Sequence, residues 1–237
     1  MGAGQLDRVI CEKANLLLQG RKNITLLEAG CGSASYFSFA GVVRSVGIDI
    51  SKEQLDRNTA VQERIQGDIQ TYPLAREEFD IVVCWDVLEH LSKPRDALLK
   101  LLDAVKPGGL LVLGFPNLAS FKGIVTKLTP FWFHRFFYRF MRYTSSPFPT
   151  YLRFAILPNR VITFAQDSGF SVIFKEFGEG GVTKRFTERF WIIKWIFLTV
   201  NWLLRAASGG KCHSLFLDNC ALVLLKGEEK TTFSPKS

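Results

Sequence analysis

Leu26-Leu27-Glu28-Ala29-Gly30-Cys31-Gly32-Ser33-Ala34-Ser35 is the stretch that decides how this chain is read. An apolar run closes on an acid and then turns through two glycines. The run predicts a short buried strand over Ile24 to Glu28, and the residues from Ser33 to Ala40 predict a helix after the turn. Gly30 and Gly32 let the backbone pass close to a ligand where a Cβ would collide. Glu28 narrows the ligand. A pyrophosphate at this turn would face a carboxylate and be repelled, whereas a cationic amino-acid group would be held. A nicotinamide dehydrogenase is disfavoured on that ground.

Two more acids fall in register with the first. Val46-Gly47-Ile48-Asp49-Ile50-Ser51 places Asp49 at the end of a second strand, 17 residues after Gly32, where a carboxylate accepts both ribose hydroxyls. Gln66-Gly67-Asp68-Ile69 places Asp68 at the end of a third strand, within reach of an adenine amino group, with Ile69 against the ring. Further strands are expected at Phe79 to Cys84, Leu110 to Phe115, Phe170 to Glu176 and Leu215 to Lys226. Helices are expected at Leu6 to Gln19, after the cap Ser51, from Pro94 to Val105 and from Pro158 to Ser168. Up to Phe115 the alternation has βαβ spacing, which argues for a parallel sheet covered on both faces.

Composition sets the outer bounds. The chain has 237 residues, 47% hydrophobic and 22% charged, enough for one α/β domain with insertions. A formal net charge of +8 favours anionic partners. The five cysteines, Cys11, Cys31, Cys84, Cys212 and Cys220, form no zinc spacing and suit a reduced cytosolic protein. The N-terminal residues have no signal-peptide core.

With EAGCGSA at 28–34, Asp49, Asp68, FDIVVCWDVLEHL at 79–91 and KPGGLLVLGFPN at 106–117, the sequence resembles a class I S-adenosylmethionine-dependent methyltransferase. Within that class it is similar to the group that includes ubiquinone-biosynthesis O-methyltransferases. The resemblance covers roughly residues 24 to 117 and weakens beyond. It departs from the family at Ala34, where a third glycine is usual. It implies a Rossmann-like sheet of seven mostly parallel strands with helices on both faces and the last strand antiparallel. It also implies S-adenosylmethionine as cofactor. The contacts to it are Glu28, Gly30, Cys31, Gly32, Asp49, Ile50, Asp68 and Ile69, with Trp85 and Val87 bordering the methionine part.

Methyl transfer from a sulfonium needs alignment and exclusion of water, and a base only where the acceptor must lose a proton. His90 is the candidate base, and it is equally a residue that could fix the loop after the fourth strand. Asp86, Glu89 and His90 resemble a metal-holding cluster of some relatives, although the reading adopted has no metal. Asn117 falls where the family lines its acceptor pocket, and His134 and Tyr138 are read as acceptor contacts within the following insertion.

Two segments choose the substrate. From Leu118 to Arg160 there is no Asp or Glu, and seven Lys or Arg residues stand among twelve aromatic residues. Phe190 to Leu204 is apolar beyond what a surface helix needs, yet too short for a comfortable span, which takes about 20 residues. Insertions at about 118–157 and 178–212 are thus read as a lid on a single domain spanning 1–237. They favour a hydrophobic or lipid-linked acceptor methylated on oxygen, and peripheral membrane contact of a cytoplasmic protein. Nucleic acid is the competing acceptor, disfavoured because CWDVLEH lacks the motif of amino-methylating DNA enzymes. A cofactor-binding or scaffold protein on the same fold is the alternative from another class.

Overall fold

The chain is seen in a computed structural model that describes residues 3–35, 37–118, 154–178 and 217–228, with single residues and short runs between 120 and 206. Helix α1 (Ala3–Leu17) opens the chain, followed by β1 (Ile24–Ala29), β2 (Val42–Asp49) and the short α2 (Lys52–Arg57). Next come β3 (Glu63–Gln66), β4 (Phe79–Trp85), a 3-10 turn (Leu88–His90) and α3 (Pro94–Ala104), which runs directly into β5 (Val105–Pro116). A second 3-10 turn (Phe154–Ile156) precedes α4 (Pro158–Asp167), β6 (Phe170–Gly178) and β7 (Asn219–Lys226).

The seven strands form one sheet in the order β3-β2-β1-β4-β5-β7-β6. The first five are mutually parallel, and β7 runs antiparallel between β5 and β6. This is the Rossmann-like arrangement the sequence predicts. The central strands are apolar on both faces because helices cover both. Leu27, Ile48, Val82, Leu111 and Leu224 pack with Leu98 and Leu101 of α3 and Val161 and Ala165 of α4. On the other face Ile81, Val83, Leu110 and Val112 pack under Leu6, Ile10 and Ala14 of α1. Those α1 residues recur every four positions, the spacing of one helix face.

Strand order reverses between β1 and β4, the switch point at whose C-terminal strand ends open α/β sheets form their ligand crevice. The connection that rims it corrects one expectation. Residues 33–35 and 37–40 are not helical; the chain crosses from β1 to β2 in turns and irregular backbone. Gly30, Gly32 and Gly41 all have positive φ, which punctuates the segment against helix formation. Phe37 and Phe39 are both buried with stacked rings, 5.9 Å between centroids. Side chains two apart share a face in extended backbone and not in a helix.

Other boundaries shift by a few residues. Val105 to Gly109 begin β5 instead of separating it from α3, and β7 starts at Asn219 instead of Leu215. Most of 118–157 and 178–212, including His134, Tyr138 and Cys212, lies outside the described residues.

Candidate active site

The glycine turn is held by hydrogen bonds from three directions. Gly30 N–H and Cys31 N–H donate to Ile48 O (2.7 and 3.2 Å). Gly32 N–H donates to Asp49 Oδ2 (2.9 Å), and Ser51 N–H donates to Asp49 Oδ1 (2.8 Å). Asn58, wholly buried after α2, donates its Nδ2 to Cys31 O (3.3 Å) and Gly32 O (3.2 Å), while its Oδ1 accepts from Ala60 N–H. Sequence reading misses Asn58. The signal available was an Asn closing a six-residue helix, but its partners lie 26 and 27 positions earlier.

Gly30 has a packing reason beyond its φ of 73°. A Cβ there would stand 2.3 Å from Val87 Cγ2, so the turn after β1 lies directly against the residue after β4. Cys31 is buried, and a Cβ on Gly47 would come 2.7 Å from its Sγ. Burial, reinforced by the carboxylates of Asp49 and Glu28, pushes its thiol up to about 12, so it stays a neutral packing group.

Glu28 closes β1 with 6% exposure and accepts a hydrogen bond from Ser35 Oγ (2.7 Å). Burial raises its pKa, and the Ser35 hydroxyl offsets this only in part. Asp49 spends one lone pair of each oxygen on the turn, and an ionised carboxylate has roughly four acceptor sites, so it keeps capacity for two hydroxyls. Ile50 beside it is exposed. Asp68 accepts from Gln70 N–H (2.9 Å) and from Gln70 Nε2 at 3.0 Å on both oxygens. Gln70 Oε1 in turn accepts from Lys93 N–H (2.7 Å) and Ser92 Oγ (3.1 Å), tying the β3 loop to the loop after His90. Ile69 is buried in the core below.

Across the crevice the Trp85 indole lies on Gly114, where a Cβ would come 2.3 Å from the ring. It meets Phe37 edge-on at 4.9 Å. Asp86 turns the chain with φ 54° and donates its N–H to Gly114 O. His90 keeps 34% of its side chain exposed, with Nε2 3.9 Å from Oε1 of buried Glu89. Among the described residues no three His, Cys, Asp or Glu side chains converge as metal ligands, the Asp86, Glu89 and His90 set included. Asn117 is buried at the end of β5; its N–H donates to Asp218 O and its Nδ2 to Leu217 O (2.9 Å), bracing the approach to β7.

Comparison with known proteins agrees with this geometry. Residues 27–113 match a family described as a methyltransferase domain. The mitochondrial ubiquinone biosynthesis O-methyltransferase of Schizosaccharomyces pombe is 33% identical over 100 residues, 37% of this chain and 36% of that one. The tRNA U34 carboxymethyltransferase of Shewanella sp. (strain ANA-3) is 39% identical over 104 residues, 39% of this chain and 31% of that one. Both matches thus span about a third of the relative's own length. Among solved structures, the N-methyltransferase NodS of Bradyrhizobium japonicum, in complex with S-adenosyl-L-homocysteine, superposes with TM-score 0.52 at 16% identity, over 96% of this chain and 89% of that one. The likeness to a methyltransferase domain thus lies within residues 27–113, and the seven-stranded sheet around them has the Rossmann-like fold of that solved structure.

Proposed function

We propose that this protein binds S-adenosylmethionine and transfers its methyl group to an oxygen of a hydrophobic or lipid-linked small molecule. One observation carries the cofactor assignment. Glu28, Asp49 and Asp68 end or directly follow three adjacent parallel strands, around a turn whose glycines have positive φ. Bound there, the cofactor supplies a methyl group on a sulfonium, an already activated leaving group. Glu28, bonded to the neutral Ser35 hydroxyl, suits an ammonium. Asp49 suits ribose hydroxyls. The Asp68 carboxylate, now engaged by the Gln70 amide, suits an adenine amino group, which offers the same kind of donor.

This chain's own residues then have two tasks. Trp85, Val87 and Phe37 wall the methionine end with apolar surface and exclude water. His90, partly open to solvent, takes the acceptor's proton as oxygen attacks in line, and Glu89 offers a counter-charge to the imidazolium that forms. A cleft of ≈ 410 Å³ between α3 and α4 joins apolar lining from Leu88, Leu98, Ile156 and Phe164 to the charged Arg95, Arg160 and Asp167, which suits an acceptor with an apolar body and a polar group. Leu88 is two residues from His90.

A second reading, methyl-group chemistry on RNA, is favoured by the 39% likeness to the tRNA U34 carboxymethyltransferase. Labelled methyl donor offered with a lipid extract and, separately, with bulk tRNA separates the two by where the label appears. The cofactor assignment is tested by Asp49→Ala. Its affinity for S-adenosylmethionine should fall about 100-fold or more, the scale of removing a hydrogen-bonded charge from a site. Unchanged affinity in a folded variant would remove Asp49 from the site.

A further inference from the structure

The charge of this protein is divided along the chain. Residues 118–160 and 181–211 hold 13 of the 30 Lys and Arg but one of the 22 Asp and Glu. The remainder, with 17 basic and 21 acidic residues, is net negative. The whole positive surplus therefore belongs to the two segments.

The same segments carry exposed apolar surface. Trp195, Ile196, Leu198, Thr199, Val200, Trp202 and Leu203 are all helical and all exposed. Exposed helical positions on a water-soluble domain are ordinarily polar; of these seven, two are tryptophans and four are aliphatic. In the other segment Leu128, Trp132 and Arg139 are helical and exposed. Exposure reaches 69% at Trp132, 63% at Trp195 and 67% at Trp202.

We propose that these two segments seat the protein on an anionic lipid bilayer, with Trp132, Trp195 and Trp202 at headgroup depth. The proposal deepens the reading above, on which it rests for its purpose: the acceptor would be met in the bilayer. Tryptophan is favoured at that depth because it joins a large apolar ring to one N–H donor. Lysine and arginine beside it are drawn to the negative surface potential of anionic lipid. No helix among the described residues is long and apolar enough to cross a membrane; the proposal places the segments on the bilayer surface. A second copy docked through this face would bring two strongly positive surfaces together. RNA would satisfy the charge and stack on the tryptophans, but it would leave Ile196, Leu198, Val200 and Leu203 without an apolar partner.

The test is co-sedimentation of the full chain with phosphatidylcholine vesicles, with and without phosphatidylglycerol, followed by tryptophan emission. The wild-type protein should sediment with the anionic vesicles, shift its emission to the blue and be released by salt. The triple variant Trp132→Ser, Trp195→Ser, Trp202→Ser should partition about tenfold more weakly, with unchanged melting and unchanged S-adenosylmethionine titration. Failure of the wild type to bind anionic vesicles would overturn the proposal. So would equal partitioning of the variant, or a dimer that the substitutions dissolve without any vesicle binding. Adding bulk tRNA as competitor covers the remaining occupant: an RNA complex lost in the variant, with no vesicle binding, overturns the lipid assignment. Cofactor titration on the same preparations keeps a failure here separate from a failure of the methyltransferase reading.

Discussion

Two carboxylates at opposite ends of adjacent strands show how this fold divides its work. Asp80 sits near the start of β4, and Glu28 sits near the end of β1. Both are buried. Asp80 is surrounded by donors: Lys106 Nζ at 2.8 Å, Thr25 N–H at 3.0 Å, the Thr25 hydroxyl at 2.8 Å and Arg21 Nη1 at 3.7 Å. Burial alone would raise its pKa, but Lys106 and Thr25 together hold it below the usual carboxylate range. Glu28 has the Ser35 hydroxyl, and burial prevails, so its pKa is raised. One end of the sheet has neutralised its charge for stability. The other leaves Glu28 buried against the Ser35 hydroxyl, an arrangement that suits the ammonium the proposed function would place there.

The comparison breaks most visibly at Asp80. Asp80→Ala leaves Lys106 and the Thr25 N–H without their acceptor and should destabilise the protein by about 2–3 kcal/mol, read by urea unfolding. Cofactor affinity should hardly change, since the crevice is at the opposite end of the sheet. If Asp80→Ala weakened S-adenosylmethionine as strongly as Asp49→Ala, the division between the two ends would be wrong.

Glu28→Gln should do the reverse. Removing a buried charge should stabilise the free protein by about 1 kcal/mol at neutral pH, while weakening S-adenosylmethionine about tenfold. A variant less stable than wild type and equally good at binding would return Glu28 to a purely structural role.

Their pH dependence sharpens the contrast with smaller effects. Asp80 binds its proton less tightly folded than unfolded. Its contribution is therefore full above the unfolded carboxylate pKa and is lost as pH falls through the lower folded value. Glu28 binds its proton more tightly folded, so stability falls as pH rises from the ordinary carboxylate value through the raised folded one. Melting temperatures across the acid range should show Asp80→Asn removing stability gained with rising pH and Glu28→Gln removing stability lost with it. The same sign for both variants would contradict the assignment.

How much of this was legible in the sequence follows from the range of each interaction. The glycine turn, Asp49 and Asp68 announce themselves because strand, turn and acid are contiguous. The helix expected over Ser33 to Ala40 fails because Phe37 and Phe39, spaced by two between glycines of positive φ, favour extended backbone. Asn58, Gln70 and the cluster around Asp80 were not legible. Thr25 and Asp80 meet across 55 residues, and Asp80 and Lys106 across 26, through strand register that only the folded sheet supplies. The aromatic, basic character of 118–160 was plain from composition, whereas the placement of His134 and Tyr138 falls outside the described residues.

The central claim is that the crevice between β1 and β4 is built for a cationic, phosphate-free nucleoside. Calorimetric titration of the purified chain with S-adenosylmethionine and, separately, with NAD tests it most directly. Micromolar binding of the first and no heat from the second is the predicted result. Binding of NAD, or no binding of S-adenosylmethionine to a folded sample, would contradict it.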